Sequence, residues 1–443
     1  MSDAVATSQQ GLAGKYKPYP EYKDSGVEWL GEVPIDWGAS RHKYIATFAK
    51  GKNPKELFDE VGIGRHQYLA MGFLRGLEVP KYCDLDSSTI LVMENQILII
   101  WDGSNAGEFV KATHGVLSST MAAVTTNSNI HDGFYWYYCK SIEPEMRRHA
   151  NGMGIPHVDG DELKAIVIPQ PALEEQRSIA AFLDYETARI DRLITQQQRL
   201  IELLKEKRQA LISHAVTKGL NPNAPMKDSG VEWLGQVPEH WEVTRSKFVS
   251  EIFVPQRNKP ELNDIGDGIF WATMEDMKND EINETRRFVS SDAATISGSK
   301  VLQKGAVVAS CVGNFGVAAL LNVDVIINQQ LQAYIPKTIS GQYLRDLISI
   351  SKTYFELVGT AATLIYVNQE GFGNMPVTRP PIEEQLEIEK YNNKIKEKFE
   401  HAIAKGELQV SLLQERRTAL ISAAVTGKID LRGWTPPAEE VAA

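Results

Sequence analysis

The chain has 443 residues, 43% hydrophobic and 23% charged, with a net charge of −10. The hydrophobic share suits a soluble protein with real cores, and the acidic balance argues against a simple basic nucleic-acid binder. No run of about 18 apolar residues occurs, so no transmembrane helix is expected; Cys83, Cys139 and Cys311 are lone thiols without CxxC spacing, which argues against a disulfide framework or zinc site and fits a reducing cytoplasm.

Residues 1–22 form a polar lead-in without the basic-then-apolar pattern of a signal peptide. Residues 23–37 then read KDSGVEWLGEVPIDW and return at 227–241 as KDSGVEWLGQVPEHW, with twelve of fifteen positions identical, Trp29/Trp233 and Trp37/Trp241 among them. PALEEQ at 171–176 returns as PPIEEQ at 380–385, and KRQALISHAVTKG at 207–219 returns as RRTALISAAVTGK at 416–428. These last two pairs share an offset of 209, whereas the tryptophans are offset by 204. A constant offset is what a rigid helix demands, and a change of length in the middle is what a loop-bearing domain tolerates. The repeat is a domain plus a helix, and it is too long for a solenoid.

The first domain, with its repeat segment, covers residues 23–170. Within it, 67–76 (QYLAMGFLRG) predicts a strand and a polar turn, 95–109 (NQILIIWDGSNAGEF) a β-rich run ending in a loop, and 115–124 (GVLSSTMAAV) a further strand. The run FYWYY at 134–138 is assigned to the core rather than to base stacking. Residues 151–169 lead into the first long helix, 171–220. Its expected seam runs Leu183, Ile190, Gln197, Leu204, Leu211, with Leu193 and Leu200 in a neighbouring column and Ile194 and Ile201 widening the stripe. Glu174 and Glu175 sit in the first turn, where carboxylates complement the helix dipole, and Gly219 is a stop signal.

The second domain covers residues 221–379. Here 269–280 (IFWATMEDMKND), 304–320 (KGAVVASCVGNFGVAAL) and 326–335 (IINQQLQAYI) answer the three segments of the first, a short helix is expected around 343–354, and 359–377 lead back to a helix. The second long helix, 380–428, carries Asn392, Phe399, Gly406, Leu413 and Leu420 along its seam, with Ile395, Ala402, Ile403 and Val410 alongside. Residues 429–443 are a tail. Gln197 and Gly406 interrupt the seams near mid-helix, as a loose crossing or as a register device. Forty-six residues at 1.5 Å each make a rod of roughly 69 Å. Two equal rods joined through a whole domain predict an antiparallel coiled coil with an approximate two-fold axis. The fold class is therefore α+β: two globular domains joined by two long helices, with an internal pseudo-two-fold repeat.

The SGVEWLGxVPxxW segments, the PxxEEQ helix starts and the ALISxAVTGK-type helix ends, each present twice and in this order, resemble the specificity subunit of type I restriction-modification enzymes. The resemblance covers about residues 20–430. It implies two target recognition domains, about 38–170 and 242–379, each reading one half of a bipartite, asymmetric site on double-stranded DNA. It implies helices that set the spacer and hold two modification (methyltransferase) subunits, joined by restriction (translocase/endonuclease) subunits. This chain would then be non-catalytic and carry no cofactor, with S-adenosylmethionine, ATP and Mg belonging to the partner subunits, in the cytoplasm of a bacterium or archaeon.

Base reading needs Arg, Lys, amide or hydroxyl side chains on loops. In the first domain the DNA-binding candidates are Arg65, His66, Gln67, Arg75, Ser104, Asn105, Lys111 and His114; in the second they are Arg257, Lys259, Thr273, Asn314, Phe315, Gln329 and Gln330. Arg147–Arg148 and Arg286–Arg287 are phosphate candidates. Asp102 and Glu108 are either contacts to cytosine amino groups or solvated loop residues. Residues 38–170 and 242–382 each hold 13 basic and 15 acidic residues, so DNA contact depends on charges sorted to one face.

Catalytic motifs are missing from the sequence. No methyltransferase Asn/Asp-Pro-Pro-aromatic signature, GxxxxGK[ST] loop or HExxH pair occurs, and the GIG and GFG at 62–64 and 371–373 lack a strand–GxGxxG–helix setting. The competing function is a duplicated coiled-coil scaffold that binds protein and reads no DNA. Salt separates the two, because phosphate neutralisation weakens steeply with ionic strength.

Overall fold

The computed structural model describes residues 16–150, 156–263, 266–360 and 365–437. Most of the lead-in, the end of the tail, and parts of the segments leading to the long helices (151–155 and 361–364) lie outside the described residues. The chain divides into two compact units, Met1–Gln198 with Leu408–Ala443, and Arg199–Glu407. No helix is long and apolar enough to cross a membrane.

The strands of unit 1 are β1 (Tyr22–Asp24), β2 (Glu32–Pro34), β3 (Gly38–Arg41), β4 (Ala46–Lys50), β5 (Arg65–Leu69), β6 (Lys81–Asp84), β7 (Leu91–Val92), β8 (Ile97–Ile100), β9 (Phe109–Lys111), β10 (Gly115–Leu117), β11 (Met121–Thr126) and β12 (Val167–Gln170). Two four-stranded sheets form, ordered β6-β5-β10-β7 and β4-β11-β8-β9, with β5 and β10 parallel. β8 is buried on both faces, which explains its continuous apolar run ILII. Helix α1 (Asp132–His149) buries Phe134, Tyr135, Tyr137 and Tyr138 in the core, so the FYWYY run is packing.

Helix α2 (Leu173–Lys218) starts in unit 1. Gln176 fastens it to the start of α1. Its Nε2 donates to the carbonyls of Pro171 at 2.9 Å and Asn129 at 3.2 Å, and its Oε1 accepts from the His131 amide at 2.7 Å. The end of the second long helix closes the same unit. Ala423, Ala424 and Val425 share a core cluster with Trp37, Phe182 and Leu183. Gly427 ends that helix at φ 71°, and a Cβ there would meet Pro34 Cδ at 2.3 Å. The duplicated glycine thus serves both the left-handed turn and the close approach of the Trp37 segment.

Unit 2 repeats the plan with β13 (Met226–Asp228), β14 (Gln236–Pro238), β15 (Glu242–Arg245), β16 (Ser250–Phe253), β17 (Ile269–Ala272), β18 (Glu281–Ile282), β19 (Arg287–Val289), β20 (Val307–Ser310), β21 (Ala318–Leu321), β22 (Val325–Ile327), β23 (Leu331–Pro336) and β24 (Pro376–Arg379). The sheets are β16-β23-β20-β21-β18 and β19-β17-β22, with β17 and β22 parallel. The order β16-β23-β20-β21 matches β4-β11-β8-β9 of unit 1 strand for strand. Helix α3 (Gly341–Ile350) precedes α4 (Ile382–Val425), and Gln385 joins them as Gln176 does: it donates to Pro380 O at 2.8 Å and accepts from Ser340 N at 2.9 Å. Trp241 packs with Ala215 and Val216 at the end of α2, and its Nε1 donates to Glu384 at 3.0 Å. In unit 2, Lys205 pairs with Glu407 and Arg208 with Glu400, so α2 and α4 run antiparallel there.

Along the seam Leu183, Ile190, Phe399 and Leu420 are buried, and Leu204, Leu211 and Leu413 are half-buried. The neighbouring column is a correction: Leu193 and Leu200 are 42% and 46% exposed, and Ile194 and Ile201 take the inner places. A two-helix contact covers one narrow stripe, so a second column flanking it stays in solvent. Gly406 is buried and Gln197 is half-buried.

Candidate nucleic-acid interface

In unit 2 the parallel strands β17 and β22 both end at one cleft of about 370 Å³. Carboxyl ends of parallel strands are where the chain leaves the sheet and where ligand-binding loops gather. Thr273 follows β17 and caps a short 3-10 turn: its amide and hydroxyl both donate to Asp276 Oδ2, at 2.8 and 2.9 Å. The turn Asn328–Leu331 follows β22 and crosses to β23 in the other sheet, closed by Leu331 N donating to Asn328 O at 3.2 Å. Lys259, Arg286 and Arg287 add positive charge to the rim, Glu275 and Asp276 add negative charge, and Trp271 lines the wall.

Four of the seven second-domain candidates, Lys259, Thr273, Gln329 and Gln330, therefore share one cleft, together with the phosphate candidates Arg286 and Arg287. Gln329 Nε2 donates to the carbonyls of Gln256 at 2.9 Å and Arg257 at 3.4 Å, so it holds the segment bearing the exposed Arg257 and Lys259. Asn314 is exposed on the loop after β20, which is anchored by Cys311 N donating to Gln330 O at 2.9 Å. Phe315 is a correction. It is 3% exposed and stacks on Phe355 with centroids 6.1 Å apart, so the loop's aromatic serves the core and offers no face to a base. Gly316 next to it adopts φ 81°, a left-handed bend that favours glycine.

Unit 1 disperses its candidates. Arg65, His66 and Gln67 lie on β5 near its amino end, where His66 meets His114 edge-on at 5.9 Å. The Arg65 guanidinium lies 3.3 Å from the centre of the Phe58 ring. Arg75 pairs with Glu108 at 2.5 Å, and Asp102 pairs with Lys50 at 2.6 Å, so both loop acids are already neutralised. Ser104 and Asn105 sit on the same loop, which is held by Trp101 N donating to Thr120 O at 2.8 Å. Lys111 lies elsewhere, 5.0 Å over the Trp136 ring. Ser104 shares a groove of about 660 Å³ with Arg147 and Arg148. A larger groove of about 700 Å³, lined by Trp29, Ile142, Met146 and Ala419 among others, adjoins it through Pro144 and Glu145.

Sequence reasoning passed over Asn328, and with it the turn as a unit. The signal was present. The turn sits 210 residues after Ser118–Thr120, which likewise joins a parallel pair to the neighbouring sheet, and Ser118 N donates to Leu69 O as Asn328 N donates to Ala272 O. Among the described residues no cluster of His, Cys, Asp and Glu is arranged to hold a metal ion.

The family model described as the type I restriction modification DNA specificity domain matches the chain twice, over residues 34–203 and 238–405. The chain belongs to this family. Each match takes in one globular domain and the start of the long helix that follows it. The chain is 30% identical over 374 residues to the type I restriction enzyme MjaVIII specificity subunit of Methanocaldococcus jannaschii, spanning 80% of this chain and 84% of that protein. It is 24% identical over 273 residues to the type I restriction enzyme EcoBI specificity subunit of Escherichia coli, covering 58% and 56% of the two. A chain from a structure concerned with complex assembly and conformational transition of the type I R-M system is similar over 89% of this chain and 98% of its own, with a TM-score of 0.68. At 17% identity that likeness bears on the fold alone. As a member of the family, the chain is a DNA sequence-specificity subunit.

Proposed function

We propose that each recognition domain reads one half of a bipartite, asymmetric DNA site, and that α2 and α4 set the spacer between halves and hold two modification subunits. Restriction subunits join that core. Methyl transfer to adenine and ATP-dependent cleavage belong to those partners, as do S-adenosylmethionine, ATP and Mg. This chain supplies the address and the frame, and it works in the cytoplasm of a bacterial or archaeal cell.

The observation that carries the reading is the pairing of a shared strand order with unlike side chains at the same turn. The four strands β4-β11-β8-β9 and β16-β23-β20-β21 follow one plan, yet the turn after the parallel pair is Ser118–Thr120 in one unit and Asn328–Gln330 in the other. One scaffold with two different reading surfaces suits two unlike half-sites. Helices of fixed length suit a fixed spacer, because a rod cannot absorb an insertion as a loop can.

The test is methylome sequencing of cells that express this chain with its modification subunit, against cells lacking the chain. The expected result is a chain-dependent motif of two unlike short halves with a constant gap, and exchange of residues 38–170 should alter one half only. A continuous or palindromic motif contradicts the reading. Active modification subunits with no chain-dependent methylation would leave the protein-binding scaffold as the function. Arg286→Ala should weaken DNA binding about equally on all sequences and lower the salt slope by about 1.

A further inference from the structure

We propose that Gln330 is the base-reading residue of unit 2 and selects an adenine, with Asn328 and Gln329 as its positioning residues; this rests on the DNA-reading function argued above.

The three amides occupy one tight turn, but they are used differently. Gln329 is spent on the carbonyls of Gln256 and Arg257. Asn328 is spent on Gln330: its Oδ1 accepts from the Gln330 amide at 3.1 Å, and its Nδ2 donates to Gln330 Oε1 at 3.2 Å. Gln330 is exposed at the cleft, yet its carboxamide is braced through one lone pair of Oε1. The second lone pair and both Nε2 hydrogens have no partner among the described residues. A long side chain ordinarily loses conformational freedom when it binds, and this one is ordered before DNA arrives.

The chemistry of that group selects the base. A carboxamide presents one donor and one acceptor side by side. In the major groove adenine presents the complement, the N6 amino donor beside the N7 acceptor. Guanine presents two acceptors, cytosine a donor alone, and thymine an acceptor beside a methyl group, so each leaves half of the amide unpaired. The other polar groups at the cleft fit other tasks. Thr273 and Asp276 bond each other, and Lys259 and Arg286 are exposed cations suited to phosphate.

Unit 1 gives the contrast. At the same turn the Ser118 and Thr120 hydroxyls bond each other at 2.8 Å, and Ser118 is 3% exposed. Short hydroxyls engaged with one another do not span a base edge. Adenine reading at this turn is thus a property of unit 2.

The test uses the full chain assembled with its modification subunits and a library of randomised duplex DNA, with the bound pool sequenced. The wild-type complex should enrich a bipartite motif with an adenine in the half assigned to unit 2. Gln330→Ala should lower discrimination at that one position about 5- to 150-fold and leave the other positions unchanged. Gln330→Glu should move the preference towards cytosine, whose amino group a carboxylate accepts from. Asn328→Ala should relax the same position by a smaller factor, whereas Gln329→Ala should weaken binding without altering the motif. Gln330 is exposed and copurification with the modification subunits checks assembly, so these variants test recognition rather than folding. An unchanged motif with Gln330→Ala overturns the assignment, and so does weakening that is uniform over all positions or confined to a base other than adenine. A wild-type complex that enriches no motif overturns the DNA-reading function itself.

Discussion

Units 1 and 2 fasten their globular domains to the long helices at equivalent positions with different chemistry. In unit 1 the Tyr137 hydroxyl donates to Asp184 at 2.7 Å and lies 3.0 Å from the Thr187 hydroxyl. In unit 2, 209 residues later, Asp346 stands in place of Tyr137 and Lys396 in place of Thr187, paired at 2.6 Å. Asp346 also accepts from Asn392 at 2.8 Å and Arg345 at 2.7 Å, and Lys396 and Arg345 both reach Asp280. Inside each globular domain, His42 and Ser246 are another matched pair of unlike residues, each bonded to a short helix that precedes the long one. The His42 imidazole meets Leu163 O at 3.1 Å, and the Ser246 hydroxyl donates to Phe372 O at 2.5 Å, with both carbonyls again 209 apart. Because a carbonyl only accepts, His42 Nδ1 carries the proton and Nε2 accepts from Tyr135 at 2.5 Å. Position thus holds each contact while the chemistry is exchangeable. A hydrogen bond to an exposed carboxylate such as Asp184 degrades gradually, because water can replace the lost donor, whereas a buried ion network fails once one member is removed.

The largest expected effect breaks the network. Asp346→Ala leaves Arg345 and Lys396, 3% and 12% exposed, without their buried carboxylate and with only the exposed Asp280 as a shared anion. Unit 2 should lose about 3–5 kcal/mol. Hydrogen exchange on the full chain should quicken over α3 and the first turns of α4 and stay unchanged over α1. Equal exchange in both units would mean that the ion network makes unit 2 no more fragile than unit 1.

Acid should reverse the order of weakness. Burial pushes the His42 imidazole down to about 4, against the smaller opposing effect of its bond to Leu163 O. The unfolded imidazole titrates near 6.5, so the neutral form favoured by the fold is fully stable above that value. Unit 1 should then lose stability as pH falls from about 6.5 towards 4, by up to about 3 kcal/mol. Ser246 gives unit 2 no such window. There, burial opposes ionisation of Asp280, but the charges of Lys396 and Arg345 outweigh it and hold the carboxyl below its usual range. That contribution is present above the ordinary carboxylate range and lost only as pH falls through the lowered value. Exchange measured at pH 7, 5.5 and 4.5 should show unit 1 opening first, and His42→Gln should abolish the difference.

Gln176→Leu and Gln385→Leu remove the same bridge and should cost about 1–3 kcal/mol each. Equal losses are expected, because these two joints use the same residue, and unequal losses would mean that neighbouring contacts decide. Tyr137→Phe should cost about 1 kcal/mol, read as a shift in denaturation midpoint. A loss as large as that of Asp346→Ala would place the two joints on one footing.

The duplication and the long helices were legible because each shows in the chain itself. A constant offset of 209 from Gln176/Gln385 to Val216/Val425 follows from 1.5 Å per residue in a rod that admits no insertion. The seam was legible at Leu183 and Ile190, and obscured at Leu193 and Leu200, since leucine alone does not say whether a partner covers it. The unit 2 cleft was legible only in pieces. Lys259, Thr273, Arg286 and Gln330 are far apart in the chain and meet because β17 and β22 pair in parallel. Phe315 was not legible as core because Asn314 and the flanking glycines read as a surface loop, whereas its ring stacks on the distant Phe355.

By itself the sequence determined the periodic and the repeated: two α+β domains, two long helices, matched ends and the family to which they belong. These rest on local spacing and on copies that can be compared without coordinates. Tertiary structure alone decided which polar groups are spent and which are offered. Asn328 braces Gln330, Gln329 holds a neighbouring segment, and Asp346 is sealed among cations. Identical amides and carboxylates differ in role only through the partners that folding brings within hydrogen-bond distance, and those partners lie up to 73 residues away in the chain.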